Sequence, residues 1–145
     1  MHITRYTDYA VRVLVYLALE DDRLVPVREI ADGYDISRNH LMKLVGELSR
    51  AGYVETVRGK SGGLKLCLRP EEINIGVLVR EVEPDFRLAE CFGPDNQCHI
   101  SPACLFRKAL GEALEKFLGA LDNYTLADLM SERQQPQLIR LLGLT

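Results

Sequence analysis

The sequence lacks the segments that mark a secreted or membrane-spanning protein. Its 145 residues contain no apolar run of membrane-spanning length and no signal-peptide pattern. We therefore expect a soluble, cytoplasmic protein without a membrane partner. In a reducing cytoplasm, clustered cysteines are better explained as metal-binding or redox-active than as structural disulfides.

The sequence also lacks the residue combinations of an enzyme active site. No Ser/His/Asp set and no carboxylate pair stands in a plausible catalytic context, and the glycines of RGKSGG (58–63) do not match a phosphate-binding P-loop. There is no internal repeat and no low-complexity tract. These absences predict that the protein is not an enzyme.

Charge is unevenly distributed along the chain. The net charge is −3, which taken alone argues against a nucleic-acid-binding protein. Residues 37–69, however, carry seven basic and only two acidic residues, a net charge of +5, whereas residues 70–145 have a net charge of −5. A local basic segment on an acidic chain is what a DNA-binding face requires.

The first half of the chain has the pattern of a winged helix. Residues 7–19 are apolar nearly all round, which predicts a buried helix with Thr7 as its N-cap. Two further helices follow: Pro26 opens the first, and Ser37 caps the second. Two short strands then flank the glycine-rich basic segment RGKSGG, which predicts a hairpin. We expect a mainly α fold with a small β-hairpin wing (α+β), in which residues 1–70 form a winged helix-turn-helix domain.

The polar residues of this region are candidates for DNA contact. A polar helix face is often merely solvated, but the adjacent hairpin and the local positive charge favour DNA. We expect the helix to enter the major groove and the hairpin tip to contact phosphates or the minor groove. The candidates are Ser37, Arg38, Asn39, His40 and Lys43 on the helix, and Arg58, Gly59, Lys60, Ser61 and Gly62 on the hairpin.

Cys67 stands alone in a strand, where we expect it to be a small apolar core residue. The other three cysteines lie in one loop, CFGPDNQCHISPAC (91–104). Gly, Pro, Asp and Asn residues keep this segment out of regular structure, so that Cys91, Cys98 and Cys104 can turn toward one point. Three thiolates are one short of the set that is usual for iron–sulfur clusters and for many zinc sites. The spacing therefore predicts a metal site whose fourth ligand comes from elsewhere, and it leaves a cluster and a zinc ion, the latter with His99, about equally open.

The last part of the chain predicts a long helix over residues 103–121. Its apolar residues Leu110, Leu114, Phe117 and Leu121 form a seam suited to a partner helix. Thr125 is expected to begin a short helix, with Asp128 at the capping-box position. After about residue 134 the sequence reads as a loosely held tail. Residues 71–145 are thus expected to hold the cysteine loop and a dimerisation helix.

Three segments resemble the NsrR repressors, a nitric-oxide-sensing group among bacterial winged-helix regulators that also include IscR. They are SRNHLMKLVGELSRAGYVETVRGKSGGLKL (37–66), CHISPAC (98–104) and LDNYTLADL (121–129). The resemblance covers nearly the whole chain, and it implies a homodimer joined through the long helix. It favours an iron–sulfur cluster over zinc, one per subunit, [4Fe-4S] more than [2Fe-2S].

The same resemblance assigns ligands and a function. The cluster ligands map onto Cys91, Cys98 and Cys104, and the fourth ligand maps onto Asp8 of the partner subunit. Arg12, four residues after Asp8, is positioned to pair with it when it is not a ligand. The implied function is a repressor that binds an inverted-repeat operator in double-stranded DNA and releases promoters of nitric-oxide detoxification genes on nitrosylation. The alternative is a sibling regulator that senses iron or cluster supply.

Overall fold

The computed structural model describes residues 2–144 of the chain. Within this range the chain forms six α-helices and one two-stranded antiparallel sheet. The elements are α1 (Arg5–Leu19), α2 (Val27–Tyr34), α3 (Arg38–Arg50), β1 (Val54–Val57), β2 (Gly63–Leu66), α4 (Ile75–Val82), α5 (Leu105–Leu121) and α6 (Gln135–Leu141). The predicted mainly α fold with a β-hairpin wing is confirmed.

Helix α1 lies at the centre of the core, as its nearly continuous apolar sequence predicts. Ala10, Val13 and Leu14 have no solvent exposure, and the helix packs against α3, β2 and α4. The expected N-cap was wrong: Thr4 caps α1, and its hydroxyl accepts a hydrogen bond from the backbone N–H of Thr7. Thr7 lies inside the first turn with its side chain buried.

Helices α2 and α3 form the expected helix-turn-helix. Helix α2 ends at Tyr34, and its C-cap Asp35, with a φ of 53° in the left-handed region, turns the chain sharply into α3. Ser37 occupies the predicted N-cap position of α3, although its side chain makes no capping hydrogen bond. The predicted apolar stripe of α3 is buried in the core: Leu41, Leu44, Val45 and Leu48.

The hairpin β1–β2 is the wing, and its register pairs Val54 with Leu66 and Val57 with Gly63. A Cβ at Gly62 would lie 2.1 Å from the carbonyl oxygen of Val57, so only glycine fits this tight tip. The backbone of Leu64 also exchanges two hydrogen bonds with Val25, at 2.9 and 2.8 Å. That bridge anchors the wing to the segment between α1 and α2.

In the second half of the chain, α4 contacts the C-terminal end of α5, and the segment after α5 packs back against the core. An ion pair between Arg80 and Asp122 joins α4 to the end of α5. The short helix expected after Thr125 is a 3₁₀ helix, Asp128–Met130, and Asp128 accepts hydrogen bonds from the backbone N–H and hydroxyl of Thr125 as predicted. The tail prediction was wrong: residues 135–141 form α6, and Leu138 packs against the core.

None of the helices between residues 2 and 144 combines the length and the apolar character needed to cross a bilayer.

Candidate functional site

The predicted DNA-binding residues lie on two adjacent exposed surfaces, the N-terminal half of α3 and the tip of the wing. All of them are exposed except Gly62, which is half-buried. Four carry positive charge at neutral pH: Arg38, Lys43, Arg58 and Lys60. Within residues 2–144 none of these four takes part in an ion pair. Their charge therefore faces solvent and is free to meet phosphates.

The cysteine loop connects α4 to α5 and is held by its own polar side chains. The carboxylate of Glu90 accepts from the backbone N–H of Gln97 at 2.5 Å, and the amide of Asn96 donates to the hydroxyl of Ser101 at 2.8 Å. Asn96 also accepts from the N–H of Cys98 at 3.0 Å. No sequence pattern predicts these contacts, which fix the backbone on both sides of Cys98.

The three loop cysteines occupy different local environments, and all are free thiols. Cys91 is half-buried in a short 3₁₀ turn, and Cys98 is exposed. Cys104 is the N-cap of α5, where its sulfur accepts from the N–H of Arg107 at 3.4 Å. Cys67 lies apart from the loop and is exposed, contrary to the expectation of a core residue.

Asp8 lies on the first turn of α1 and forms an ion pair with Arg12, with 2.7 Å between Oδ2 and Nη2. Both side chains are nearly half exposed. The guanidinium of Arg12 also lies over two aromatic rings, 5.5 Å from the centroid of Tyr9 and 5.7 Å from that of Tyr34. The predicted Asp8–Arg12 pair is thus present, and it contacts the last residue of α2.

The structure does not gather the predicted ligands into one centre. In the part of the chain that it describes, no three His, Cys, Asp or Glu side chains lie close enough together to hold a metal ion. The chemistry of the donors nevertheless fits an iron–sulfur cluster, because three accessible thiols in one loop are soft ligands that such clusters use.

A buried carboxylate links the cysteine loop to α1. Glu83 is the C-cap of α4, at the start of the segment that leads into the cysteine loop, and is only 7% exposed. Its Oε2 accepts from the N–H and hydroxyl of Thr4 at 3.1 and 3.0 Å, and from the hydroxyl of Thr7 at 2.5 Å. The first turn of α1, which carries Asp8, is therefore fixed to the start of the loop. Sequence reasoning missed this contact, which spans 76 residues.

Two tyrosine–glutamate hydrogen bonds join the DNA-binding elements to the rest of the fold. Tyr6 of α1 donates to Glu47 of α3, and Tyr53, just before β1, donates to Glu81 of α4. Burial, together with the carboxylate partner, raises the pKa of each phenol well above its usual value. Both hydroxyls therefore stay protonated and act as donors throughout the physiological pH range.

The predicted dimerisation seam is only partly exposed. Leu114 and Leu121 pack against the core of their own chain, and Leu110 is half-buried, whereas Phe117 is 43% exposed. The most exposed apolar side chains of α5 are Leu105 and Phe106, at 79% and 70%. Of the 17 residues of α5 only Leu118 is buried. The apolar surface of α5 therefore extends further toward its N-terminus than the sequence pattern suggested.

The sequence matches the profile of the Rrf2 family, described as an iron-dependent transcriptional regulator, over residues 3–132. It is 50% identical over 132 residues to the HTH-type transcriptional regulator NsrR of Bacillus licheniformis, covering 90% of this chain and 92% of that protein. It is 48% identical over 136 residues to the regulator of the same name from Bacillus subtilis, covering 92% and 93%. The resemblance to NsrR regulators is thereby confirmed.

Solved structures give the same fold. The chain is similar to T. potens IscR, with a TM-score of 0.75 and 23% identity, over 94% of this chain and 91% of that one. It is also similar to the oxidized form of Staphylococcus aureus CymR, with a TM-score of 0.71 and 27% identity, over 89% and 95%. At this identity the IscR likeness concerns the fold alone.

Proposed function

Because this chain belongs to the Rrf2 family of transcriptional regulators, we propose that it is a repressor that senses nitric oxide through an iron–sulfur cluster. Its target genes would be those of nitric-oxide detoxification, and its operator an inverted repeat. Membership of the family makes the chain a DNA-binding transcriptional regulator and not an enzyme. The observation that carries the sensory part is the loop with three free, accessible thiols beside a winged helix.

The residues that would hold the cluster are Cys91, Cys98 and Cys104 of one subunit and Asp8 of the partner subunit. When bound, such a cluster, [4Fe-4S] in preference to [2Fe-2S], supplies iron that nitric oxide attacks. The hard carboxylate of Asp8 is less suited to this soft site than the thiolates. In this chain Asp8 already has a second partner, the guanidinium 2.7 Å away.

The contacts of α1 support a route from the loop to the DNA-binding elements. Glu83 fixes the first turn of α1 to the start of the loop, and Tyr6 ties the same turn to Glu47 of the recognition helix α3. Arg12 lies over the ring of Tyr34, the last residue of α2. A displacement of this turn would therefore act on α3 directly, through Tyr6, and on α2 through the ion pair of Asp8 with Arg12.

The homodimer in this proposal uses the exposed apolar face of α5. Leu105, Phe106 and Phe117 remain exposed in the single chain, and a long helix with such a stripe is typically covered by a partner helix. A dimer with two α3 helices one DNA turn apart requires an inverted repeat. Each subunit would then carry one cluster.

The test is anaerobic purification, followed by iron and acid-labile sulfide analysis and gel shifts with promoter duplexes, with and without nitric oxide. We expect coloured protein with iron and sulfide that binds a specific duplex and releases it on exposure to the gas. Cys98→Ala should abolish iron binding, whereas Cys67→Ala, a matched change at the exposed cysteine outside the loop, should not. Colourless, iron-free protein that binds the duplex regardless of nitric oxide would refute the proposal.

A second candidate function is a sensor of iron or cluster supply. The family description as an iron-dependent transcriptional regulator favours it. The same gel shifts separate the two candidates, since a supply sensor releases DNA on iron chelation and keeps its cluster-dependent binding at low nitric oxide. A repressor that senses nitric oxide releases the duplex at substoichiometric to stoichiometric amounts of the gas.

A further inference from the structure

Met42 is an exposed apolar side chain on the outer face of α3. It is 53% exposed, whereas the large apolar residues of the inner face, such as Leu41 and Leu44, are buried. The core therefore does not use Met42. Single exposed apolar residues are common on protein surfaces, so exposure alone assigns it no role, and a second observation is needed.

Gly46, one helical turn after Met42, supplies that observation. Glycine destabilises a helix interior relative to alanine. A Cβ at Gly46 would meet no atom within 4 Å, so packing in this chain does not require glycine there. Helical side chains lean toward the helix N-terminus, and a side chain at position 46 would therefore extend over Met42. Gly46 keeps the thioether uncovered and lets a second surface approach closely.

We propose that Met42 reads the C5 methyl group of a thymine in the major groove. This inference rests on the proposed DNA-binding function. Asn39 lies three residues before Met42 on the same exposed face of α3. The side chains of Arg38 and Lys43 lie on either side of Met42, and neither forms an ion pair within residues 2–144. That charge selects a polyanion as the occupant of this face. The apolar feature that base edges offer there is the thymine methyl.

The flexible thioether of methionine suits this contact, because it adapts its shape to a small apolar group. Asn39 is placed to read an adenine in a neighbouring base pair. The recognition helix would thus combine polar readout by Asn39 with apolar readout by Met42. Specificity at the thymine would depend on one methyl group and on no hydrogen bond.

The test replaces single thymines by deoxyuridine, which removes only the methyl group. The probe is the duplex that the full-length, anaerobically purified protein selects from a randomised library. We expect one thymine in each half-site at which deoxyuridine weakens wild-type binding about fourfold, the effect of burying one methyl. Met42→Ala should bind the thymine and deoxyuridine duplexes equally at that position and discriminate normally at all others.

Two further variants exclude a structural explanation. Val77→Ala removes a comparably exposed apolar side chain, 47% exposed on α4, and should keep the wild-type deoxyuridine profile. Gly46→Gln should raise the urea midpoint of unfolding, because glutamine favours a helix over glycine, and yet should lose discrimination at the thymine because it covers Met42. A loss of discrimination in a more stable protein cannot come from misfolding.

The outcomes separate this inference from the function on which it rests. If wild type and Met42→Ala show the same ratio of thymine to deoxyuridine affinity at every position, Met42 reads no methyl group, while sequence-specific binding stands. If the wild-type protein selects no sequence over random duplex, both the DNA-binding function and the role of Met42 are overturned.

Discussion

Replacement of Glu83 tests whether the buried carboxylate stabilises the junction between the cysteine loop and α1. Glu83→Ala removes the acceptor for the hydroxyl of Thr7, which is 1% exposed, and for two donors of Thr4, which is only partly buried. An unsatisfied buried donor costs about 1–3 kcal/mol. Water can reach Thr4, so the full cost applies to Thr7 and a fraction of it to Thr4. We expect a loss of about 2–4 kcal/mol in the free energy of unfolding.

The assay is urea unfolding at pH 7 followed by far-UV circular dichroism, with thermal unfolding as a second readout. A loss of this size lowers Tm by roughly 7–13 °C in a chain of this length. Glu83→Gln retains one acceptor oxygen and loses only the charge at the helix N-terminus, so about 1 kcal/mol is expected. Glu132→Gln, an exposed glutamate, is the matched control and should change stability by less than about 0.5 kcal/mol.

A double-mutant cycle sharpens this test. Thr7→Val removes the buried hydroxyl and keeps the shape of the side chain. In the Glu83→Ala background it should recover part of the lost stability, because the buried hydroxyl of Thr7 is then no longer present as an unpaired donor. If Glu83→Ala unfolds at the wild-type urea concentration, or if Thr7→Val adds its full cost on top, the carboxylate does not hold this junction.

Three other predictions concern two residues at the tip of the wing and the stability of the protein at alkaline pH. Lys60→Ala should weaken binding to all duplexes alike and lower the slope of log affinity against log salt by about one unit, measured by fluorescence anisotropy; an unchanged slope would place the wing off the DNA. Gly62→Ala should weaken duplex binding at least tenfold with little change in Tm, because its Cβ would lie 2.1 Å from Val57 O and forces only the hairpin tip to open; unchanged binding would contradict this. Burial raises the pKa of Tyr34 to about 12 from 10, so the folded state holds a proton that the unfolded state loses. Stability from this group is complete below pH 10 and is lost as pH rises toward 12, and Tyr34→Phe should flatten that loss in urea midpoints measured from pH 9 to 12.

The sequence predicted most local elements because they depend on periodicity and on turn residues. The stripe of α3 from Leu41 to Leu48 and the basic hairpin tip are examples, and both lie where the pattern placed them. The start of α1 was less well predicted, because threonine is an equally good N-cap at positions 4 and 7. In the structure Thr4 is the N-cap, and the hydroxyl of Thr7 instead donates to the distant Glu83.

Contacts between distant residues were beyond sequence reasoning. The bonds of Tyr6 with Glu47 and of Tyr53 with Glu81 join residues 41 and 28 positions apart, and nothing in the local sequence of either glutamate indicates such a partner. The tail was misjudged for a related reason. Leu138 is one of a few leucines among glutamines and a proline, and its packing against the core depends on a surface formed by other segments.

The free energies of the contacts around Asp8 can be compared with the free energy that a two-state switch requires. An exposed ion pair such as that of Asp8 with Arg12 contributes about 0.2–1 kcal/mol, and each cation–π contact of Arg12 adds about 0.5–1 kcal/mol. A near-complete shift between two states requires about 5.5 kcal/mol of differential binding. The ion pair and both rings together therefore fall short of the energy that a two-state repressor needs. Arg12 and its two tyrosines position Asp8 and the first turn of α1. In the proposed switch, the larger part of the energy would come from ligand bonds made by the three cysteines and the carboxylate.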